Sequence, residues 1–189
     1  MAVRTFVALE LSESARTGIL SVVDELRRRG IRASWAREST LHLTLKFLGD
    51  VEERALPEVV EAVSRASRQV SSFTLETRSL GAFPSPQRPR VLWVGVEAPD
   101  ALYQLARDVD AELGRLGFPR ERKRFHPHIT LGRVRDERAA SVLSVFEEMS
   151  VPREVTEVRE LRVMKSTLRP QGAVHELVDA VPLSDDETP

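Results

Sequence analysis

The feature that most constrains this chain is that it contains itself twice. Residues 4–30, RTFVALELSESARTGILSVVDELRRRG, align with residues 91–117, VLWVGVEAPDALYQLARDVDAELGRLG, at an offset of 87. Phe6 meets Trp93, Val7 meets Val94, Glu10 meets Glu97, Leu26 meets Leu113 and Gly30 meets Gly117. Each copy opens with a run of β-branched and aromatic residues that predicts a strand. A polar turn follows, then apolar residues at helical spacing: Ile19, Val22, Val23 and Leu26 in one copy, Leu102, Leu105, Val109 and Leu113 in the other. Ser12 and the Pro99-Asp100 pair are helix-start signals, and a glycine stops each helix. Self-similarity at this scale means that one supersecondary unit is used twice.

The similarity continues beyond the glycines. TLHLTLKFLGDV, residues 40–51, corresponds to HPHITLGRV, residues 126–134, now at offset 86 because of a one-residue gap between them. A helical stretch (about 52–69 and about 136–149) and a further strand (about 72–80 and about 155–164) follow in each copy. Pro84–Pro89 reads as a loop or hinge between the copies. Ala173–Val181 predicts a last strand, and residues 184–189 an acidic, frayed tail. The order is β-α-β-α-β twice, with extra strands in the second copy. Alternating helices and strands also occur in doubly wound sheets. Duplication of so small a unit fits an α+β, bilobal fold better. Two lobes related by a pseudo-twofold axis, each with a mainly antiparallel sheet and flanking helices, would face each other across a cleft. Residues 1–183 then form a single domain of two intertwined repeats, about 4–83 and 91–183.

Within each copy the strongest strand pattern carries the same word, His-x-Thr. Side chains alternate along a strand. His42, Thr44 and Lys46 therefore share one face, and Leu41, Leu43, Leu45 and Phe47 share the apolar one. In the second copy His126, His128 and Thr130 point together, away from Ile129 and Leu131. Facing lobes would bring two imidazoles and two hydroxyls into one cleft. One imidazole can take a proton and the other give one near neutral pH. The hydroxyls can hydrogen-bond oxygens on which charge develops. A phosphodiester needs an activated attacker, a protonated leaving oxygen and stabilised equatorial oxygens, and this set supplies all three with neither a metal nor a covalent intermediate. A lone His-x-Thr is common in strands; two at equivalent positions of a repeat are not.

Composition narrows the alternatives. The chain has no cysteine, which excludes disulfides, thiolate metal sites and a cysteine nucleophile. That fits a reducing cytoplasm. A net charge of -1 over 189 residues argues against bulk electrostatic binding to duplex DNA. No apolar run is long enough to cross a membrane, and the N-terminus lacks the small-residue cleavage site of a signal peptide.

The paired motifs resemble those of the 2H phosphoesterase superfamily, defined by two H-x-[ST]-x motifs. FVALEL, LHLTLKFLGDV, PRVLWVGV and FHPHITLGRV, spread over residues 4–134, resemble the RNA 2′,3′-cyclic phosphodiesterases, also called 2′-5′ RNA ligases or LigT-like proteins. The resemblance implies a cleft holding both motifs, no cofactor, and hydrolysis of an RNA-terminal 2′,3′-cyclic phosphate to a 2′-phosphate. It implies His42 as proton donor, His128 as proton acceptor, and Thr44 and Thr130 as phosphate ligands. Run backwards, the same site would join ends in a 2′-5′ linkage without ATP; a non-catalytic RNA-end or nucleotide-binding module is the other alternative. The expected partner is an RNA terminus, and with no heptad seam or apolar stripe the chain is expected to be a monomer.

Around the motifs, Lys46 is a candidate phosphate contact or a solvated strand end. Arg133 follows the second motif as it does in the family, but strict alternation turns it away, so a bulge is needed to bring it in. Phe125 could stack a base at the rim or belong to the core. His126 supports His128 or lies at the rim, because two histidines without a third donor make a poor zinc set. His175 stands alone and reads as structural or exposed. Arg120–Arg124 is either an RNA funnel or a solvated loop.

Overall fold

The computed structural model describes residues 1–134, 142–170 and 172–184. The elements run β1 (Ala2–Leu9), α1 (Glu13–Arg28), β2 (Ala33–Trp35), β3 (Leu43–Glu52), α2 (Leu56–Ser67), β4 (Phe73–Ser85), β5 (Arg88–Glu97), α3 (Asp100–Arg115), β6 (His128–Val134), α4 (Leu143–Glu148), β7 (Val155–Val158), β8 (Glu160–Arg169) and β9 (Gly172–Pro182). The strands form one sheet in the order β7-β4-β5-β6-β3-β1-β8-β9, with β2 on β6. Among the described residues every pairing between these strands is antiparallel.

The duplication organises this sheet. Its midline falls between the motif strands β6 and β3. Reading outward, β5 and β1, then β4 and β8, then β7 and β9 occupy equivalent places. The halves are intertwined, because α2 carries the chain from one half to the other and β7–β8 carries it back. One residue separates β7, at one end of the sheet, from β8, near the other end. The sheet must therefore curl until its ends approach. The Leu183 N–H donates to the Arg159 carbonyl (2.8 Å), the Ser184 N–H to the Val70 carbonyl (3.0 Å), and Ser71 bridges Ser184.

The helices form as their spacing predicts. Ser12 caps α1, its hydroxyl accepting from the Ala15 N–H at 3.2 Å. Gly30 and Gly117 close α1 and α3 at φ +82° and +90°, where a side chain would be strained. Ile19, Val22, Val23 and Leu26 of α1 share one core with Leu102, Leu105, Val109 and Leu113 of α3 and with Val59, Ala62 and Val63 of α2. Among the described residues no helix is long and apolar enough to cross a membrane.

Several expectations need correction. Pro84–Pro89 is not a hinge between copies: β4 and β5 run through it as a hairpin inside one half, turning at Pro86-Gln87. The strand expected over about 155–164 is two strands, β7 and β8, in opposite halves of the sheet. Of the helix expected over about 136–149, residues 143–148 are helical, and residues 135–141 lie outside the described residues. The tail is tethered at Ser184, and residues 185–189 lie outside the described residues.

Candidate active site

The two motifs meet at the midline. Strands β3 and β6 pair at one position, Leu43 with Ile129, the central residues of His42-Leu43-Thr44 and His128-Ile129-Thr130. Both central side chains are fully buried. The antiparallel sense places Thr130 on the His42 side of this bridge and His128 on the Thr44 side. Beyond it the motif strands part, and β2 takes the edge of β6 along Gly132–Val134. His42, Thr44, His128 and Thr130 are all half-buried, on the face away from the helices.

A bulge follows the threonine in each copy. Val7 pairs with Lys46 and Ala8 with Thr44, so Leu45 is the extra residue. Leu92 pairs with Gly132 and Trp93 with Thr130, so Leu131 is the extra residue in the second copy. A bulge puts two successive side chains on one side of the sheet and shifts the alternation beyond it. Leu45 and Lys46 therefore both turn inward, and Phe47 turns out.

This overturns two sequence expectations. Lys46 is neither a phosphate contact nor a solvated strand end. It is buried on the helix side, where its ammonium lies 2.6 Å from Asp110 Oδ1 and 2.7 Å from the Pro119 carbonyl. Phe47 is not core: it is 46% exposed, with the Arg4 guanidinium 4.6 Å above its ring. The same device in the second copy brings Arg133, opposite Val91, onto the face of Thr130 and His128.

Each histidine is held by aromatic rings and by a backbone carbonyl two residues earlier. The His42 ring stacks on Phe6 at 4.8 Å between centroids and meets the edge of His175 at 5.2 Å. The His128 ring meets Phe83 edge-on at 5.0 Å and Trp93 at 6.1 Å. Its Nδ1 lies 2.7 Å from the His126 carbonyl oxygen. A carbonyl only accepts, so the neutral ring carries its proton on Nδ1 and leaves a lone pair on Nε2.

Burial, and then the nearby charge of His175, lower the His42 pKa to about 4, against a hydrogen bond to the Thr40 backbone that favours the charged ring. Burial also lowers His128; its hydrogen bond to the His126 backbone opposes this and the His126 ring adds to it. Both rings are thus neutral in the free protein at neutral pH.

The remaining candidates separate. His126 is exposed at the rim, 4.9 Å from Trp93 and 6.2 Å from His128, and serves His128 through its carbonyl. Phe125 packs against the core and the edge of Tyr103 on α3, so it is no base platform beside the histidines. Arg120 is engaged by Asp110 at 2.5 Å, and the run from Glu121 to Arg124 is exposed. His175, read as isolated, stands against His42 and Phe6. The sequence reading also missed Phe6 and Trp93 as supports, although the repeat had already aligned them with each other.

The place of Trp93 depends on two glycines. An added Cβ on Gly81 would stand 2.0 Å from Cη2 of the Trp93 indole, and one on Gly95 would stand 3.1 Å from Cζ3. Gly81→Ala is expected to lift the indole from the sheet beside His128, costing about 1–3 kcal/mol as overpacking does. The checks are a lowered Tm and a shifted tryptophan emission in a Trp35→Phe background, since the chain has 2 tryptophans. An unchanged emission spectrum would contradict the close approach.

Residues 13–169 match the model of the 2′-5′ RNA ligase superfamily. A Thermotoga maritima protein named RNA 2′,3′-cyclic phosphodiesterase is 34% identical over 175 residues, covering 93% of this chain and 92% of that protein. A crystal structure of a Thermus thermophilus protein superposes with a TM-score of 0.79 at 28% identity, over 97% of this chain and 99% of that one. E. coli LigT in its apo form superposes at 0.77 with 26% identity, over 97% and 98% of the two chains. LigT complexed with 3′-AMP superposes at 0.75, over 97% and 99%.

Proposed function

Because this chain belongs to the 2′-5′ RNA ligase superfamily, we propose that it hydrolyses RNA-terminal 2′,3′-cyclic phosphates to 2′-phosphates by two-histidine acid–base catalysis without a metal. The observation that carries this reading is the meeting of the two His-x-Thr words at the Leu43–Ile129 bridge, with each ring held at a defined orientation. A binding module needs neither a committed tautomer nor a second imidazole.

His128 Nε2 takes a proton from water as the water oxygen attacks phosphorus. The P–O3′ bond breaks, and His42 gives its proton to the departing O3′. Water has then been added across one ester bond, leaving a 2′-phosphate and a free 3′-hydroxyl. Thr44 and Thr130 donate to the non-bridging oxygens, and Arg133, turned to this face by its bulge, neutralises charge on them. The substrate is an RNA end, met by a monomer in the cytoplasm. End joining would be the same steps with a 5′-hydroxyl attacking phosphorus in place of water, leaving a 2′-5′ diester and a free 3′-hydroxyl.

The test is a short RNA ending in a 2′,3′-cyclic phosphate, incubated in EDTA without ATP, with the phosphate position resolved in the product. A 2′-phosphate supports the reading. A 3′-phosphate, or loss of activity in EDTA, overturns it. Binding without turnover would leave a recognition site.

The acid–base assignment predicts a displaced pH profile. The kcat/KM profile reports the free protein and kcat reports the complex. With a His42 pKa of about 4, about one free molecule in a thousand carries the required proton at pH 7. Bound phosphate favours the charged ring and raises that value. The alkaline limb of kcat is therefore expected at higher pH than that of kcat/KM. Coincident limbs in a full pH–rate profile would contradict the assignment.

A further inference from the structure

We propose that His175 is a positioning residue for His42, holding that ring against Phe6 and coupling its proton uptake to the C-terminal hairpin. This rests on the reading of His42 as the proton donor. The geometry is a three-ring cluster: Phe6 stacked beneath His42 at 4.8 Å, His175 edge-on to His42 at 5.2 Å, and His175 edge-on to Phe6 at 4.9 Å. With Phe6 on its face and His175 at its side, the imidazole has little freedom to tilt. His42 comes from the motif loop, Phe6 from β1 and His175 from β9, so the cluster joins three separate segments. Both supports of His42 lie outside residues 13–169, over which the superfamily model matches.

The two histidines are framed differently. His128 is flanked by rings that do not titrate, Phe83 and Trp93, with the titratable His126 at the rim. His42 has a titratable ring in direct edge contact. A neutral His175 is only an aromatic edge. A protonated one opposes a proton on His42, in agreement with the lowered value described above. Burial in turn lowers His175. Anionic substrate can relieve the opposition by attracting both rings' protons, so proton uptake by His42 becomes linked to occupancy.

Other charged groups lie on the elements around His175. Across the sheet it pairs with Ser166 of β8, which pairs with Arg4 of β1. The next position along β9, Glu176, is engaged by Lys165 at 3.0 Å. The 3₁₀ turn Glu38–Thr40, with Arg37 before it, contacts β9 from the motif side. Helix α2 packs on β9 as well, and its Arg65 is held by Glu61 and Glu112.

The experiment compares His175→Ala and His175→Phe with wild type by steady-state kinetics and by NMR titration of the imidazole resonances. Four histidines make the titration tractable. Loss of the edge in His175→Ala is expected to lower kcat roughly 10- to 100-fold, as small misplacements of a catalytic group do, with little change in KM. Phenylalanine restores an aromatic edge and should recover most of kcat. It cannot take a proton, so in the free His175→Phe protein His42 should titrate at higher pH than in wild type. A purely structural role predicts wild-type titration once the ring is restored. The proposal is overturned if His42 titrates unchanged in His175→Phe, or if His175→Ala keeps kcat within twofold of wild type. The titration needs no substrate, so a wild-type protein inert on cyclic phosphates would overturn the functional reading while the ring coupling is still decided.

Discussion

His42→Ala and His128→Ala are each expected to lower kcat on a 2′,3′-cyclic phosphate by about 10²–10⁴, the usual worth of a positioned acid or base. The double variant should lose little more than the worse single one. In the proposed mechanism acid and base serve one displacement, and removing either leaves the other without a partner step. KM should change less than kcat, because the phosphate contacts proposed for Thr44, Thr130 and Arg133 are left in place. Stability should respond differently from activity. The folded chain refuses a proton on His42 until about pH 4, whereas an unfolded histidine binds one from about pH 6.5. The lowered value therefore contributes stability above about pH 6.5 that is lost as pH falls toward 4. His42→Ala removes this window, so its Tm should fall less than that of wild type between pH 7 and 4. Single variants that both keep full kcat would rule out acid–base catalysis by these two rings.

The parts of the site legible in the sequence are those set by local pattern and by the repeat. His42, Thr44, His128 and Thr130 follow from strand alternation over two residues. Their convergence follows from the duplication. What strand alternation could not place lies on the far side of a bulge. Leu45 and Leu131 each add one residue to the ladder, which buries Lys46, exposes Phe47 and turns Arg133 to the face of His128 and Thr130. The bulges come at equivalent positions, and nothing in Thr-Leu-Lys-Phe or Thr-Leu-Gly-Arg announces them without the partner strand. His175 was illegible for another reason. It lies 133 residues after His42 in the sequence, and only the pairing order β3-β1-β8-β9 brings the hairpin round to it. The hinge reading of Pro84–Pro89 failed because prolines at the end of a hairpin look like those of a linker.

Asp110→Ala is expected to have the largest effect on stability. Lys46 is the residue turned inward by the first bulge, and its side chain is 2% exposed. Its ammonium has two partners, Asp110 Oδ1 on α3 and the Pro119 carbonyl. Removing the carboxylate leaves a buried charge with one neutral acceptor, a change that costs about 3–5 kcal/mol. For a chain of this size that is a fall in Tm of roughly 6–20 °C. Lys46→Met should cost less, because Asp110 keeps the Arg120 guanidinium and the Glu121 N–H. Lys46→Met combined with Asp110→Ala should be more stable than Asp110→Ala alone, since no unpaired ammonium remains. Burial pushes the Asp110 carboxyl up, but Lys46, the Glu121 N–H and Arg120 together hold it below its ordinary value. A lowered carboxylate pKa stabilises the fold above about pH 4 and ceases to do so as pH falls through the folded value. Wild type should therefore lose stability in that range by a component that Asp110→Ala lacks. The same carboxylate anchors Arg120 and Glu121, at the start of the segment leading to the His126 carbonyl that orients His128. Thermal unfolding of the three variants at pH 7 and pH 3 checks the argument. A Tm for Asp110→Ala within 2 °C of wild type, well short of the roughly 6 °C minimum, would mean that the buried ammonium is not held as the Lys46–Asp110–Pro119 geometry requires.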